Sequence, residues 1–174
     1  MANIYTRRAT LDDLDKIMEI INSAKQYLKE IGSPQWQSGY PANNDIAKDI
    51  RAHSGYVLIV DGQVAGYSAM IIGDDPMYEV ITEGSWANNR DPYATLHRVA
   101  ISSQYRGQNL SSFLLSGLIS LAMSQGVRNL RIDTFEKNVQ IHRIAARFGF
   151  QKRGQILIND PLDPRRVAFE LNIA

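Results

Sequence analysis

The chain has 174 residues, one domain's worth, and 44% of them are hydrophobic, enough for a core without disulfide or metal staples. Its formal net charge of +1 argues against a strongly basic nucleic-acid binder, yet residues 1–96 carry 8 basic and 13 acidic side chains while residues 97–174 carry 11 and 5. No cysteine is present, which excludes disulfides, thiolate metal sites, cysteine nucleophiles and iron–sulfur clusters.

Residues 4–8 read as a first strand. Thr10-Leu11-Asp12-Asp13 is close to a capping box, with acidic side chains where the helix dipole favours them. Leu14, Ile17, Met18, Ile21, Ala24, Leu28 and Ile31 recur at helical spacing, which predicts a helix buried along one face and ended by Gly32. A loop of turn formers over 33–41 holds Trp36 and Tyr40. Asn44 or Asp45 then caps a short helix through Arg51, with Ile46 and Ile50 inward. Residues 56–60 and 63–72 predict two strands joined by an Asp61-Gly62 hairpin turn. No element is read over 77–91.

Further strands are predicted at 94–101, 130–134 and 150–158. Helices are predicted at 110–125, with Leu110, Phe113, Leu114, Leu118, Leu121 and Ala122 inward, and at 139–148. The last strand alternates Val167, Phe169, Leu171 and Ile173 with Ala168, Glu170 and Asn172, a half-buried pattern. The order β-α-α-β-β-β-α-β-α-β-β describes an α/β chain of the α+β type, a single domain over 1–174. No repeat, low-complexity stretch or linker interrupts it. No apolar run approaches the ~18–20 residues of a membrane span, and Met1–Arg8 lacks the apolar segment of a signal peptide, so the cytoplasm is expected.

One segment carries chemistry. Leu96-His97-Arg98-Val99-Ala100-Ile101 ends a strand, Ser102-Ser103-Gln104-Tyr105-Arg106-Gly107-Gln108-Asn109 turns, and Leu110-Ser111-Ser112 opens a helix. Such a turn aims unpaired backbone N–H groups and the positive end of a helix dipole at one point, an anion cradle suited to phosphates. Gly107 permits close backbone approach, and Ser111 and Ser112 add hydroxyl donors. Neither a Walker loop nor a dinucleotide glycine triplet is present. On loop chemistry alone, a plain strand-to-helix turn is the favoured reading.

Gln104-Tyr105-Arg106-Gly107-Gln108-Asn109 resembles the Gln/Arg-x-x-Gly-x-Gly/Ala signature of the GNAT family of N-acetyltransferases. The preceding Val99-Ala100-Ile101 strand, the following helix and the later Asn138…Gly149-Phe150 segment occur in that family's order. The resemblance implies a mixed central sheet flanked by helices, with a splayed parallel strand pair, and acetyl-CoA as cosubstrate without a metal. It assigns the cosubstrate to Val99, Ala100, Ile101, Gln104, Arg106, Gly107, Gln108, Asn109, Leu110, Ser111, Ser112 and Asn138. Backbone N–H groups from Arg106 to Ser111 would hold the pyrophosphate, and the free edge of the Val99 strand would pair with the pantetheine arm. An N–H near Val99 or Ala100 would stabilise the oxyanion, a contact worth about 3–4 kcal/mol when preorganised. Asn138 also reads as the N-cap of its helix. Two departures stand out: Asn109 replaces a small residue, and Ala145 stands where the family often has the tyrosine that protonates the leaving thiolate.

An alkylammonium (pKa about 10) must lose a proton before it attacks a thioester. His97, two positions before Val99 and read as sharing its strand face, is the leading candidate base; Glu79 and Glu83 are weaker ones. Trp36, Gln37, Tyr40, Tyr78 and Trp86 are candidate acceptor-site residues, and each could instead plug a loop onto the core. His53, His97 and His142 have no paired metal-ligand spacing. Arg143, Arg147, Lys152 and Arg153 are read as one basic cluster, a solvated face in preference to a contact for the adenosine 3′-phosphate of the cosubstrate or to an RNA site, whose interleaved aromatics it lacks.

The expected function is transfer of acetyl from acetyl-CoA to a primary amine by direct attack in a ternary complex. The alternative is a non-catalytic module that binds acyl-CoA. The expected partner is a small-molecule amine, with no nucleic acid and no membrane, and members of this type commonly form homodimers. The acidic first half is expected to charge an acceptor site that attracts ammonium groups, and the basic second half to attract the cosubstrate.

Overall fold

In the computed structural model, which describes residues 1–174, the chain opens with β1 (Ile4–Arg8). The Asp13 carboxylate then accepts the Thr10 N–H at 2.8 Å and both Arg7 terminal nitrogens at 2.8 and 2.9 Å, closing a single 3₁₀ turn ahead of α1 (Leu14–Glu30). Next comes α2 (Asn43–Arg51), which begins earlier than its polar residues suggest. Ala42 occupies the cap position, and Asp45 accepts its N–H at 2.7 Å from one turn inside the helix. The hairpin of β2 (Gly55–Val60) and β3 (Gln63–Ile72) turns at Asp61-Gly62 with both residues at positive φ, 47° and 82°, as a two-residue hairpin turn requires.

The segment without a predicted element contributes a two-residue strand, β4 (Ile81–Thr82). Beyond it come β5 (Tyr93–Ile101), α3 (Leu110–Ser124), β6 (Asn129–Thr134), α4 (Val139–Arg147), β7 (Gln151–Leu157) and β8 (Arg165–Asn172). All eight strands join one mixed sheet in the order β1-β2-β3-β5-β6-β8-β7-β4, and β5–β6 is its parallel pair. No helix is long and apolar enough to cross a membrane.

Both faces of the sheet are covered. Leu58, Leu96, Leu130, Ile132 and Phe169 pack beneath Leu114, Leu118 and Ile144 of α3 and α4. On the opposite face Val57, Ile59 and Tyr67 meet Ile17, Ile21, Ile46 and Ile50 of α1 and α2. A third cluster on that second face joins Tyr78 and Trp86 to Tyr93, Ile156 and Ala168. This two-sided burial corrects the half-buried reading of β8: Ala168 and Glu170 are as inaccessible as Val167 and Phe169. Glu170 is held by Arg153 at 3.1 Å and by the Ala87 N–H at 2.8 Å, with Arg131 at 3.7 Å. Arg131 in turn lies between the rings of Trp86 and Tyr93. Phe113 is exposed, contrary to expectation, and Leu115 takes the inward place on α3. The short β4 edge is fitted tightly, since a Cβ on Gly84 would lie 1.8 Å from the Arg153 carbonyl oxygen.

Candidate active site

The parallel pairing of β5 and β6 runs only from Tyr93 to Leu96 against Asn129 to Ile132. Past that point β5 continues on β3 alone and β6 continues on β8 alone, so the two strands diverge and β5 keeps a free edge over its last residues. A cavity of about 290 Å³ fills the opening. Leu96, His97, Arg98 and Val99 line one arm, Ile132, Asp133 and Thr134 the other, and Asn138 and Ile141 close it from the start of α4. The loop after α1 adds Gln35, Trp36, Ser38 and Tyr40 as the outer wall.

A β-bulge reshapes the β5 arm. Tyr67 lies opposite Ala100 but Ala69 lies opposite His97, so β5 holds one extra residue there, and Arg98 takes φ 58°. The extra residue resets the alternation of side chains. Leu96 and Val99 both pack toward the α3–α4 core, whereas His97 meets Tyr78 on the other face. His97 and Val99 therefore do not share a face, which corrects the simple two-residue reading.

Arg98 is nearly enclosed. Its Nε donates to Asp49 Oδ2 at 2.8 Å and its Nη2 to Oδ1 at 2.5 Å, while Nη1 donates to the Tyr40 hydroxyl. Tyr67 donates to the same Asp49 at 2.8 Å, and burial together with that carboxylate raises the Tyr67 pKa well above the ordinary phenol value. One ion pair thus ties α2, β3, the bulge and the outer loop together. Lys25 secures the loop from α1 by donating to the Pro41 carbonyl at 2.6 Å, and Gln37 donates to the Lys25 carbonyl at 3.0 Å. Gln37 fastens the loop and does not line the cavity; Trp36, at φ 64°, does line it.

His97 Nε2 lies 2.9 Å from Asp75 Oδ2. Burial pushes the Asp75 carboxyl up, but the His97 ring, the Met77 N–H and the Arg98 charge outweigh it and hold Asp75 below the usual carboxylate range. Ionised Asp75 accepts from Nε2–H, which leaves His97 Nδ1 without a protein partner. Tyr78 is fully buried, meets the His97 ring edge-on at 5.9 Å between centroids, and donates its hydroxyl to Asp133. Trp86 stacks on Tyr78 at 5.7 Å, and its indole N–H donates to the Tyr78 carbonyl at 2.9 Å. Tyr78 and Trp86 accordingly form core behind the cavity and not its wall. Glu79 and Glu83 are exposed and outside the lining, and Glu83 accepts from Gln155 at 2.8 Å. Asp75, Asp133 and Asp49 carried no motif, because their partners lie far away in sequence.

The predicted cradle adjoins the opening. Gly107 and Asn109 adopt positive φ, 79° and 56°, and Asn109 caps α3 in a left-handed conformation. The backbone N–H groups of Gly107, Asn109, Leu110 and Ser111 enter no hydrogen bond within the protein. Arg147 reaches from the end of α4 to Asn109 Oδ1 and to Ser112 Oγ at 3.0 Å, and Arg106 lies over the Tyr27 ring. Two arginines therefore flank a helix N-terminus that is already positive, an arrangement an anion completes. Asn138 occupies the N-cap of α4 without a side-chain capping bond, and its side chain borders the cavity. The side chains of Leu110 and Ala100 are buried, which leaves only their backbones available. Arg143, Arg147, Lys152 and Arg153 do not form one cluster: Arg147 joins the cradle and Arg153 pairs with buried Glu170 on β8. The acidic side chains of the cavity wall, Asp133 and Asp160, come from the basic half of the chain and not from the acidic half as expected, whereas the cradle's Arg106 and Arg147 do come from the basic half. No three His, Asp or Glu side chains are placed together as metal ligands.

A diverging parallel pair beside a cradle of free N–H groups leaves an unpaired strand edge leading into a turn suited to an anion. Residues 15–150 match the acetyltransferase (GNAT) family, and the chain belongs to it as an acetyl-transferring enzyme; the family uses acetyl-CoA as cosubstrate. A solved GNAT-family acetyltransferase from Streptococcus agalactiae 2603 aligns with a TM-score of 0.89 and 37% identity, covering 98% of this chain and 96% of that one. A second, from Listeria monocytogenes 4b F2365, shares the fold at a TM-score of 0.74 and 21% identity, with 98% and 95% covered. The spermine/spermidine N(1)-acetyltransferase of Bacillus subtilis (strain 168) is 27% identical over 114 residues, 65% of this chain and 69% of that protein.

Proposed function

We propose that this protein transfers the acetyl group of acetyl-CoA to a small primary amine, with direct attack in a ternary complex. The observation that carries the reading is the His97–Asp75 pair set in the opening where β5 and β6 diverge. The residues present fit the cosubstrate. The free N–H groups of Gly107, Asn109, Leu110 and Ser111, with Arg106 and Arg147, suit a pyrophosphate; the unpaired edge of β5 near Val99 and the uncommitted side chain of Asn138 suit the amides of a pantetheine arm. Acetyl-CoA supplies a thioester whose acetyl carbon bonds to the amine nitrogen as the carbon–sulfur bond breaks.

His97 takes the proton from the incoming ammonium at Nδ1, and Asp75 holds the ring's tautomer and stabilises the imidazolium. Glu79 and Glu83 are out of reach of the cavity and have no part in this reading. The tyrosine often found near the leaving sulfur is replaced by Ala145, which is buried in the α3–α4 core. A thiol has a pKa of about 8.5, so the thiolate departs at neutral pH without a dedicated acid, and the second proton, shed by the nitrogen as the amide forms, passes to the released thiolate or to water. The distant B. subtilis polyamine acetyltransferase supports an amine as acceptor.

The test combines thermal unfolding with acetyl-CoA and thiol release across a panel of amines. Acetyl-CoA raises the melting temperature, and at least one amine drives thiol release that falls sharply in His97→Ala. Stabilisation by acetyl-CoA with no thiol release from any amine would contradict transfer and leave the acyl-CoA-binding module as the better reading.

A further inference from the structure

Besides the phenol of Tyr40, the ionisable side chains that line the cavity are His97, Arg98, Asp133 and Asp160; these four are the acids and bases of the wall. Three of them have a charged partner behind the wall: His97 pairs with Asp75, Arg98 with Asp49, and Asp160 with Arg166 at 2.9 Å. Asp133 has none. Its one side-chain partner is the Tyr78 hydroxyl, a neutral donor, since burial and the Asp133 carboxylate push the Tyr78 pKa well above its ordinary value.

The position of Asp133 follows from the sheet. Leu96 and Ile132 are the last paired residues of β5 and β6, and both side chains enter the α3–α4 core. His97 and Asp133 are the next residues on the two arms, so both side chains project to the opposite face. Tyr78 touches both there, through its ring edge and its hydroxyl. The unneutralised carboxylate and the candidate base thus flank the mouth of the same opening. Around them the wall mixes the apolar and aromatic side chains of Trp36, Tyr40, Met77 and Ile158 with the uncharged polar ones of Gln35, Ser38 and Asn159.

We propose that Asp133 binds the ammonium group of the acceptor, and that the site therefore takes small cationic amines with an apolar body and rejects amines that carry a carboxylate. An ammonium at Asp133 supplies the missing counter-charge and lies beside His97, which receives its proton. A carboxylate on the acceptor would instead face Asp133 and Asp160, and the one arginine of the wall is already engaged by Asp49. Tyr78 is a positioning residue, fixing one carboxylate oxygen and leaving the other for the ligand. The inference rests on the acetyltransfer reading above.

Phenethylamine and phenylalanine differ only by a carboxylate, and thiol release gives kcat and KM for each. Phenethylamine is expected to exceed phenylalanine in kcat/KM by about tenfold or more, the scale of one charged hydrogen bond. Asp133→Asn should raise the phenethylamine KM by roughly tenfold to a hundredfold with a much smaller change in kcat, and with an unchanged melting shift on adding acetyl-CoA. Tyr78→Phe should move the KM in the same direction by less, whereas His97→Ala acts on kcat. Equal use of phenylalanine, or an unchanged KM in Asp133→Asn, overturns the inference while leaving acetyltransfer intact. If Asp133→Asn does not fold, the wild-type ratio of the two acceptors decides alone. Failure of every amine in the wild type, with the acetyl-CoA shift present, overturns the acetyltransfer reading and this inference with it.

Discussion

Removal of Asp49 should unfasten the acceptor side of the site and cost several kcal/mol of stability. The carboxylate is 7% exposed and its partner Arg98 10%, so neither charge is well solvated, and Asp49 also accepts the buried Tyr67 hydroxyl. Breaking a buried ion pair by deleting one partner costs about 3–5 kcal/mol. The lower end applies here because Arg98 borders a cavity that admits water. Leaving the Tyr67 hydroxyl unpaired adds about 1 kcal/mol. Asp49→Ala is therefore expected to lose about 4 kcal/mol, a fall in Tm of roughly 8–16 °C for a chain of this size. Guanidinium unfolding of Asp49→Ala, Arg98→Met and the double variant measures the coupling. The double variant, which leaves no orphaned charge, should recover at least about 1–2 kcal/mol relative to the sum of the singles. A loss below about 1 kcal/mol in Asp49→Ala, or strict additivity in the cycle, would refute the reasoning.

His97→Ala should lower kcat by about 10²–10⁴ in an amine-dependent thiol-release assay, with Asp75→Asn giving a smaller loss in the same parameter. Asp13 and Asp75 have carboxyls held below the usual range, Asp13 by Arg7 and Asp75 against the pull of burial, so the stability they give is complete above about pH 4 and lost as pH falls through their lowered values. Melting curves from pH 7 to pH 3 should show that decline, blunted in Asp75→Asn. Gly84→Ala should cost about 1–3 kcal/mol in chemical denaturation, because the new methyl meets the Arg153 carbonyl. Saturating acetyl-CoA at about 100 times its Kd should stabilise the protein by about 2.7 kcal/mol, and Arg106→Glu and Arg147→Glu should each shrink the melting shift.

Much of the framework was legible because it follows local rules. The apolar period of α1, the Asp61-Gly62 turn and the strand–glycine–helix run at 96–112 each state their structure within a few residues. The site was legible only in part. Its backbone cradle is local, but the side chains that set its chemistry are paired across the chain: Asp75 with His97, Asp49 with Arg98, Tyr78 with Asp133. The bulge at Arg98 leaves no mark in the sequence, since a non-glycine residue adopts positive φ there, yet it reverses which side chains share a face. β4 is two residues long, and its partner β7 lies some seventy positions away, so no periodicity announces it. Tyr78 and Trp86 resemble ligand-contacting aromatics in composition; their burial depends on a sheet covered on both sides. Charge counted along the chain also misled, because Asp133 and Asp160 bring acidity to the cavity from the basic half.

Initial rates with acetyl-CoA and phenethylamine varied together test direct amine acetylation most directly. Attack within a ternary complex predicts intersecting double-reciprocal lines, thiol release only when the amine is present, and one acetyl group gained by the amine per thiol released. Parallel lines with thiol release in the absence of amine would mean that the acetyl group rests on the protein between two half-reactions, and would contradict direct attack in the opening between β5 and β6.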